Sequence, residues 1–176
     1  MSRIDITKIR EAATILRNGG IVVYPTETVY GIGCDPLNEE ACDRVQHLKG
    51  RSGTKPFILI ADTAGTFERF AGQLDAVPRL LTDEFWPGPL TIVIRPLKLL
   101  PAHLFGPSGG VAFRVTSHPV AAELSREFGM PVVSTSANIT DQKPVLNYGE
   151  AVRLFGNHAD IILDNDESIA GETMVG

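Results

Sequence analysis

An α/β fold, built as one domain around a twisted mixed sheet with flanking helices, is what this 176-residue sequence predicts. Three observations carry that prediction. Short apolar runs of strand length alternate with stretches whose apolar residues recur at helical spacing. Glycines, prolines and capping residues stand at the junctions between them. The chain is 43% hydrophobic and 21% charged. A domain of this length buries roughly 70% of the surface that its unfolded form exposes, enough for a core without staples.

The elements follow in order. Ile9, Ala12, Ala13 and Leu16 mark a helix over 8–17, ended by Asn18-Gly19-Gly20. Residues 21–24 read as a buried strand. Glu39 to Leu48 reads as a helix, with Asn38 as its cap and Gly50 as its stop. Residues 57–61 form a second strand, 63–71 and 74–85 are helical, and Trp86-Pro87-Gly88-Pro89 is a rigid turn. Residues 90–94 make a third strand, stopped by Pro96. The segment 97–110, rich in Pro, Gly and Leu, is expected to be a loop over the site. Val111 to Val115 is a fourth strand. His118 opens a helix that ends at Gly129, and residues 132–134 are a fifth strand. Residues 148–156 are helical, and 161–163 are a sixth strand. No helix or strand is predicted after the acidic stretch Asp164-Asn165-Asp166-Glu167, so the C-terminal end, closing on Met174-Val175-Gly176, reads as short or incomplete.

Charge and cysteine usage narrow the function. A formal charge of -5 weighs against extensive non-specific nucleic-acid binding, which needs a positive surface, and leaves room only for a local basic patch. Cys34 and Cys42 carry no Cys-x-x-Cys or His–Cys spacing, and His47, His103, His118 and His158 are scattered, so metal ligation is not supported. The two thiols read as reduced cysteines of a cytoplasmic protein. The N-terminus lacks the apolar core of a signal peptide, and no apolar run reaches the roughly 20 residues of a membrane span.

Hydroxyls, an amide and cations gather where strands hand over to turns. Lys49, Arg51 and Lys55 crowd before the 57–61 strand. Each cation alone could compensate a helix C-terminus on a solvated face. Three in one turn of an acidic protein suit an anionic ligand, phosphate first, because Arg offers a planar fork and Lys a point charge. Ser134-Thr135-Ser136-Ala137-Asn138 offers neutral donors and acceptors after a strand, or else a helix cap. Thr26 and Thr28 flank Glu27 with the same ambiguity. Arg114 sits inside an apolar strand and needs a partner, either an internal acid or a ligand carboxylate. There is no Gly-x-Ser-x-Gly, Walker A loop or Gly-x-Gly-x-x-Gly.

Taken together, Pro25-Thr26-Glu27-Thr28-Val29-Tyr30-Gly31, Lys49-x-Arg51, Lys55-Pro56, Trp86-Pro87-Gly88-Pro89-Leu90-Thr91, Arg114-Val115 and Ser136-x-Asn138 resemble the YrdC/TsaC family of L-threonylcarbamoyladenylate synthases over about residues 8–145. The resemblance implies a YrdC-like sheet around a concave, positively charged cavity. It implies an enzyme that joins L-threonine, bicarbonate and ATP, the last with Mg²⁺, into threonylcarbamoyl-AMP and pyrophosphate. A partner transferase then moves the threonylcarbamoyl group onto tRNA adenosine (the t6A modification).

By the same resemblance Thr28, Arg114 and Ser134 hold threonine. Lys49, Arg51, Lys55, Ser136 and Asn138 hold ATP, with the backbone at Gly110 beside the nucleotide. Lys49 and Arg51 are the expected catalytic cations, offsetting charge on the α-phosphate and departing pyrophosphate. Three positions depart from the family pattern. Ser52 stands where Pro is common, Ile60 stands where many members carry His, and Glu172-Thr173-Met174-Val175 only faintly echoes a late motif, which puts the C-terminal side of the ATP site in question. A relative that binds double-stranded RNA or ribosomes without synthase activity is the alternative, disfavoured by Ser136-x-Asn138. A carbamoyl-transfer domain of hydrogenase maturation is another, but its zinc-finger cysteines are missing.

Overall fold

Ile9, Ala12, Ala13 and Leu16 fall on one stripe of α1 (Ile6–Arg17), and all four are buried. The Asp5 carboxylate caps this helix by accepting from the Thr7 and Lys8 amides. The computed structural model describes residues 5–50, 56–74, 76–138 and 143–164. After α1 come β1 (Val22–Pro25), β2 (Tyr30–Gly33), α2 (Glu39–Leu48), β3 (Ile58–Ala61), α3 (Ala64–Ala71) and α4 (Ala76–Phe85). Then follow β4 (Ile92–Ile94), a 3-10 turn (Ala102–Leu104), β5 (Val111–Val115), α5 (Pro119–Phe128), β6 (Val132–Ser136), α6 (Tyr148–Phe155) and β7 (Ile161–Ile162).

The capping chemistry expected from the sequence is in place. Asn38 accepts from the Ala41 amide, and His118 accepts from the Val120 amide through Nδ1. Gly129 closes α5 in the left-handed conformation, φ +88. Cys34 and Cys42 are free, buried thiols with Sγ atoms 3.6 Å apart. Among the described residues no helix is long and apolar enough to cross a membrane.

The strands form one seven-stranded sheet in the order β4-β5-β3-β6-β2-β1-β7. It is mixed. β3 and β5 pair in parallel, as do β1 and β7; the remaining pairs are antiparallel. Helices α1 and α5 pack on one face with Val22, Tyr24 and Val132. Helices α2, α3 and α6 pack on the other with Val23, Ile32, Leu59, Phe113 and Val133.

Six strands are predicted from the sequence; the seventh is β2. Its glycines hide it, since Gly is a poor strand former. They are there because the neighbouring strands approach too closely for a side chain. A Cβ on Gly33 would lie 2.6 Å from the Val133 carbonyl and 2.7 Å from the Tyr24 ring. The fifth predicted strand is also longer than expected, because Thr135 and Ser136 continue the ladder of β6 and are not a turn after it. Leu100 and Leu104 bury themselves in the core, so the 97–110 loop is anchored. The segments after Leu48 and around Asp164 contain Arg51, Ser52, Lys55 and 165–176, which lie outside the described residues.

Register explains where a site can form. Ser134 pairs with Ile58 and Ile58 with Ala112, while Ile60 pairs with Arg114. Gly31 pairs with Ser136. Because side chains alternate between faces, Ser134, Ser136, Ile58, Ala112, Arg114 and Gly31 share the face carrying α1 and α5. The helices do not cover all of it: Ile58, Ala112, Arg114 and Ser136 are only partly buried.

Candidate active site

Lys49 is the C-cap residue of α2. It is not a solvated cation, being 1% exposed. Its ammonium reaches around the end of β6 and donates to Thr135 Oγ1 at 3.0 Å, Ser136 O at 2.5 Å, Ser136 Oγ at 3.0 Å and Asn138 Oδ1 at 3.0 Å. The Ser136 hydroxyl in turn donates to Asn138 Oδ1 at 2.7 Å. The end of β6 is itself fixed by backbone bonds from Ala137 N to Tyr30 O and from Val145 N to Ala137 O. A lysine, two hydroxyls and an amide are thus locked into one network, and such networks are rigid when satisfied.

Arg114 meets an internal acid. Its Nη1 lies 3.5 Å from Glu27 Oε1, and both side chains are mostly buried at 14% and 13% exposure. Nε and Nη2 both donate to Thr91 Oγ1, at 3.1 and 3.0 Å. The Thr116 hydroxyl donates to Glu27 Oε2 at 2.5 Å. Glu27 belongs to the loop from β1 to β2, so these contacts draw that loop across the open part of the sheet face to β5. The loop is braced from within by Thr26, whose hydroxyl donates to Val29 O at 2.6 Å and lies 3.2 Å from the Thr28 hydroxyl.

Gly31, on the same face, is buried against Ser134, Thr26 and Tyr24. A Cβ there would stand 3.0 Å from the Ser134 hydroxyl and 3.6 Å from the Thr26 methyl and the Tyr24 ring. Burial pushes the Tyr24 phenol well above its usual range, against a hydrogen bond with Ser134, so Tyr24 stays protonated. Its hydroxyl donates to Val133 O at 3.2 Å.

The structure brings together Lys49, Ser136 and Asn138 in one cluster and holds Arg114 against Glu27 in another, with Ser134 beside Gly31 and Thr28 beside Thr26. Gly110 opens β5 at the end of the sheet where β6 finishes. It packs against β4, where a Cβ would strike Val93 at 2.7 Å. Arg51 and Lys55 lie outside the described residues. The sequence alone singles out no role for Glu27, Thr91 or Thr116, and offers Thr135 only as one hydroxyl of the Ser134–Asn138 run. Glu27 and Thr91 did stand inside the quoted runs; Thr116 gave no signal. Among the described residues no three His, Cys, Asp or Glu gather as a metal cage. A separate cavity of about 520 Å³, bordered by Arg44, His47 and His158, contains none of these residues.

The Sua5/YciO/YrdC family profile, described as "Telomere recombination", matches residues 14–174. The chain belongs to that family. It is 42% identical over 155 residues to the threonylcarbamoyl-AMP synthase of Cellvibrio japonicus, covering 88% of this chain and 82% of that protein. With the threonylcarbamoyl-AMP synthase of Methylococcus capsulatus it shares 49% identity over 140 residues, covering 78% of this chain and 74% of the relative. The fold of this Sua5/YciO/YrdC chain also superposes on P. abyssi Sua5 crystallised with L-threonine, with a TM-score of 0.86 and 33% identity. That match covers 94% of this chain and 49% of the P. abyssi one, so the present chain spans about half the length of the Sua5 structure.

Proposed function

We propose that the two clusters on the open face form the active site of a threonylcarbamoyl-AMP synthase, with residues 1–176 acting as one domain. The enzyme converts L-threonine, bicarbonate and ATP into threonylcarbamoyl-AMP and pyrophosphate. The observation that carries this reading is the Lys49 network: a buried ammonium held by the Ser136 and Asn138 side chains at a strand end, on the same sheet as an arginine held against Glu27. The same network favours the enzyme over an RNA-binding relative.

The ATP phosphates lie against Lys49, Ser136 and Asn138, with Arg51 and Lys55 adding positive charge and the Gly110 backbone bordering the nucleotide. Mg²⁺ enters with ATP, held by phosphates and water. Threonine lies on the open part of the sheet face with its carboxylate on Arg114 and with Thr28 and Ser134 as polar neighbours. Arg114 can do this while paired to Glu27, because a guanidinium has five donors and Thr91 occupies only one edge of the fork.

The threonine amine takes up bicarbonate, losing water, to give N-carboxythreonine. The new carboxylate attacks the α-phosphorus and pyrophosphate leaves. Positioning and charge stabilisation supply the acceleration, since no protein nucleophile takes part. Lys49 and Arg51 offset the charge on the α-phosphate and the leaving group. A partner transferase then passes the threonylcarbamoyl group to tRNA, which places the reaction in the cytoplasm; contact of this chain with RNA itself is weak.

The test is direct. Pure protein is incubated with ATP, L-threonine and bicarbonate, and pyrophosphate is measured. Release that needs both threonine and bicarbonate is the expected result. Release from ATP alone, or none, overturns the reading.

A further inference from the structure

Glu27 Oε1 is buried and has no hydrogen-bond partner among the described residues. Its sister atom is satisfied by Thr116 at 2.5 Å. The nearest charge to Oε1 is Arg114 Nη1 at 3.5 Å, an electrostatic contact longer than a good hydrogen bond. A buried carboxylate oxygen without a donor is costly, and such groups in native folds call for an explanation. Loss of loop order does not supply one here, since Thr26 braces the loop through Val29 and the amides of Thr28 and Val29.

We infer that Glu27 receives the α-ammonium of the amino acid, so that Glu27 and Arg114 read the substrate's zwitterion as a pair. This rests on the reading that threonine sets its carboxylate on Arg114. The chemistry of an α-amino acid fits the arrangement. Its carboxylate and ammonium hang from one carbon and lie within a few ångströms of each other. They therefore need a cation and an anion side by side, and Arg114 and Glu27 are that. The ammonium carries three donors and would satisfy Oε1. The pair also makes the site selective. A bare hydroxy acid would find Arg114 for its carboxylate but would bring no positive charge to Glu27, which would repel it.

The test compares binding of L-threonine and 3-hydroxybutanoate, which is threonine without its amine, by calorimetry or ligand-observed NMR. Wild type should bind threonine at least about tenfold tighter, the scale of one charge-assisted hydrogen bond. Glu27→Gln keeps an acceptor for Thr116 and removes the charge. It should lose threonine affinity by about tenfold or more while 3-hydroxybutanoate binds as well as before or better. Glu27→Asp, which withdraws the carboxylate by one methylene, should shift the two ligands in the same opposed sense and more weakly. Parallel loss of both ligands in either variant would make Glu27 only a brace for Arg114 and overturn the inference. Should neither variant fold, equal affinity of wild type for the two ligands overturns it. Arg114→Lys is the separate control. If threonine affinity is untouched by it, the threonine site itself is misplaced, whatever Glu27 does.

Discussion

Lys49 Nζ lies 3.0 Å from Asn138 Oδ1, so the end of α2 is fastened to the end of β6 by a buried ammonium. Removing that ammonium takes a donor from the Thr135, Ser136 and Asn138 acceptors. Hydrogen bonds to charged groups contribute about 1.5–3 kcal/mol each. Lys49→Met should therefore lower the melting temperature by roughly 5–10 °C and abolish pyrophosphate release. Thermal denaturation beside the synthase assay checks both, and an unchanged melting temperature would contradict the buried network.

Asn138→Ala separates the two ligands. The amide oxygen accepts from Lys49 and from the Ser136 hydroxyl. ATP binding should weaken by about tenfold, while threonine affinity, measured alone, stays within about twofold. Equal loss of both would mean that the end of β6 had collapsed.

Arg114→Lys keeps a positive charge and loses the fork that meets Thr91 and Glu27 together. The threonine KM should rise by about tenfold or more with the ATP KM nearly constant, on the scale of a lost charge-assisted bond. Threonine amide should be a very poor substrate of the wild type. Threonine amide turning over like threonine would leave Arg114 answering to Glu27 alone.

Two glycines of β2 should respond differently to the same change. Gly33→Ala forces a methyl within 2.6 Å of the Val133 carbonyl, a backbone atom that cannot swing aside. Overpacking of this kind costs about 1–3 kcal/mol, read as a drop in the urea midpoint. Gly31→Ala meets the Ser134 hydroxyl at 3.0 Å, so the fold should survive while the threonine KM rises. Matching stability losses would remove the distinction between packing and site.

Stability should fall in alkali. Burial raises the Tyr24 phenol from its usual 10.0, and the hydrogen bond with Cys42 followed by burial raises the Cys34 thiol from its usual 9.0. Both folded values lie above the unfolded ones. The unfolded chain therefore sheds these protons first as pH rises, and each group's contribution, complete below its unfolded value, declines above it. The loss is up to about 1.4 kcal/mol per group per pH unit, beginning near pH 9 for Cys34 and near pH 10 for Tyr24. Urea unfolding from pH 8 to 11 measures the slope, and Tyr24→Phe should flatten its upper part.

Helices were legible because their information is local. Ile9, Ala12, Ala13 and Leu16 repeat at helical spacing, and Asn38, His118 and Gly129 punctuate in the chain itself. β2 was illegible because its glycines answer to Tyr24 and Val133, which only the folded sheet brings near. The site divides in the same way. Arg114 announced that it needed a partner by standing charged among Val111, Phe113 and Val115, but the strand alone does not say whether an internal acid or a ligand carboxylate supplies it. Choosing Glu27 takes the loop path across the sheet. Lys49 showed its residue type and not its burial, since a helix C-terminus is also where a solvated lysine belongs.

The central place of β6 in the sheet sets an order of events. Lys49 meets Asn138, and Glu27 meets Thr116, each across 89 positions of sequence. Contacts of that span form late, because the chain must close a long loop before they repay it. During synthesis the early strands β2 and β3 have no β6 to pair with until most of the chain has emerged, and each is left with an exposed edge on that side. A ribosome-bound fragment ending before Val132 should therefore bind neither ligand, and competence should switch on within the few residues that deliver Ser134 to Asn138.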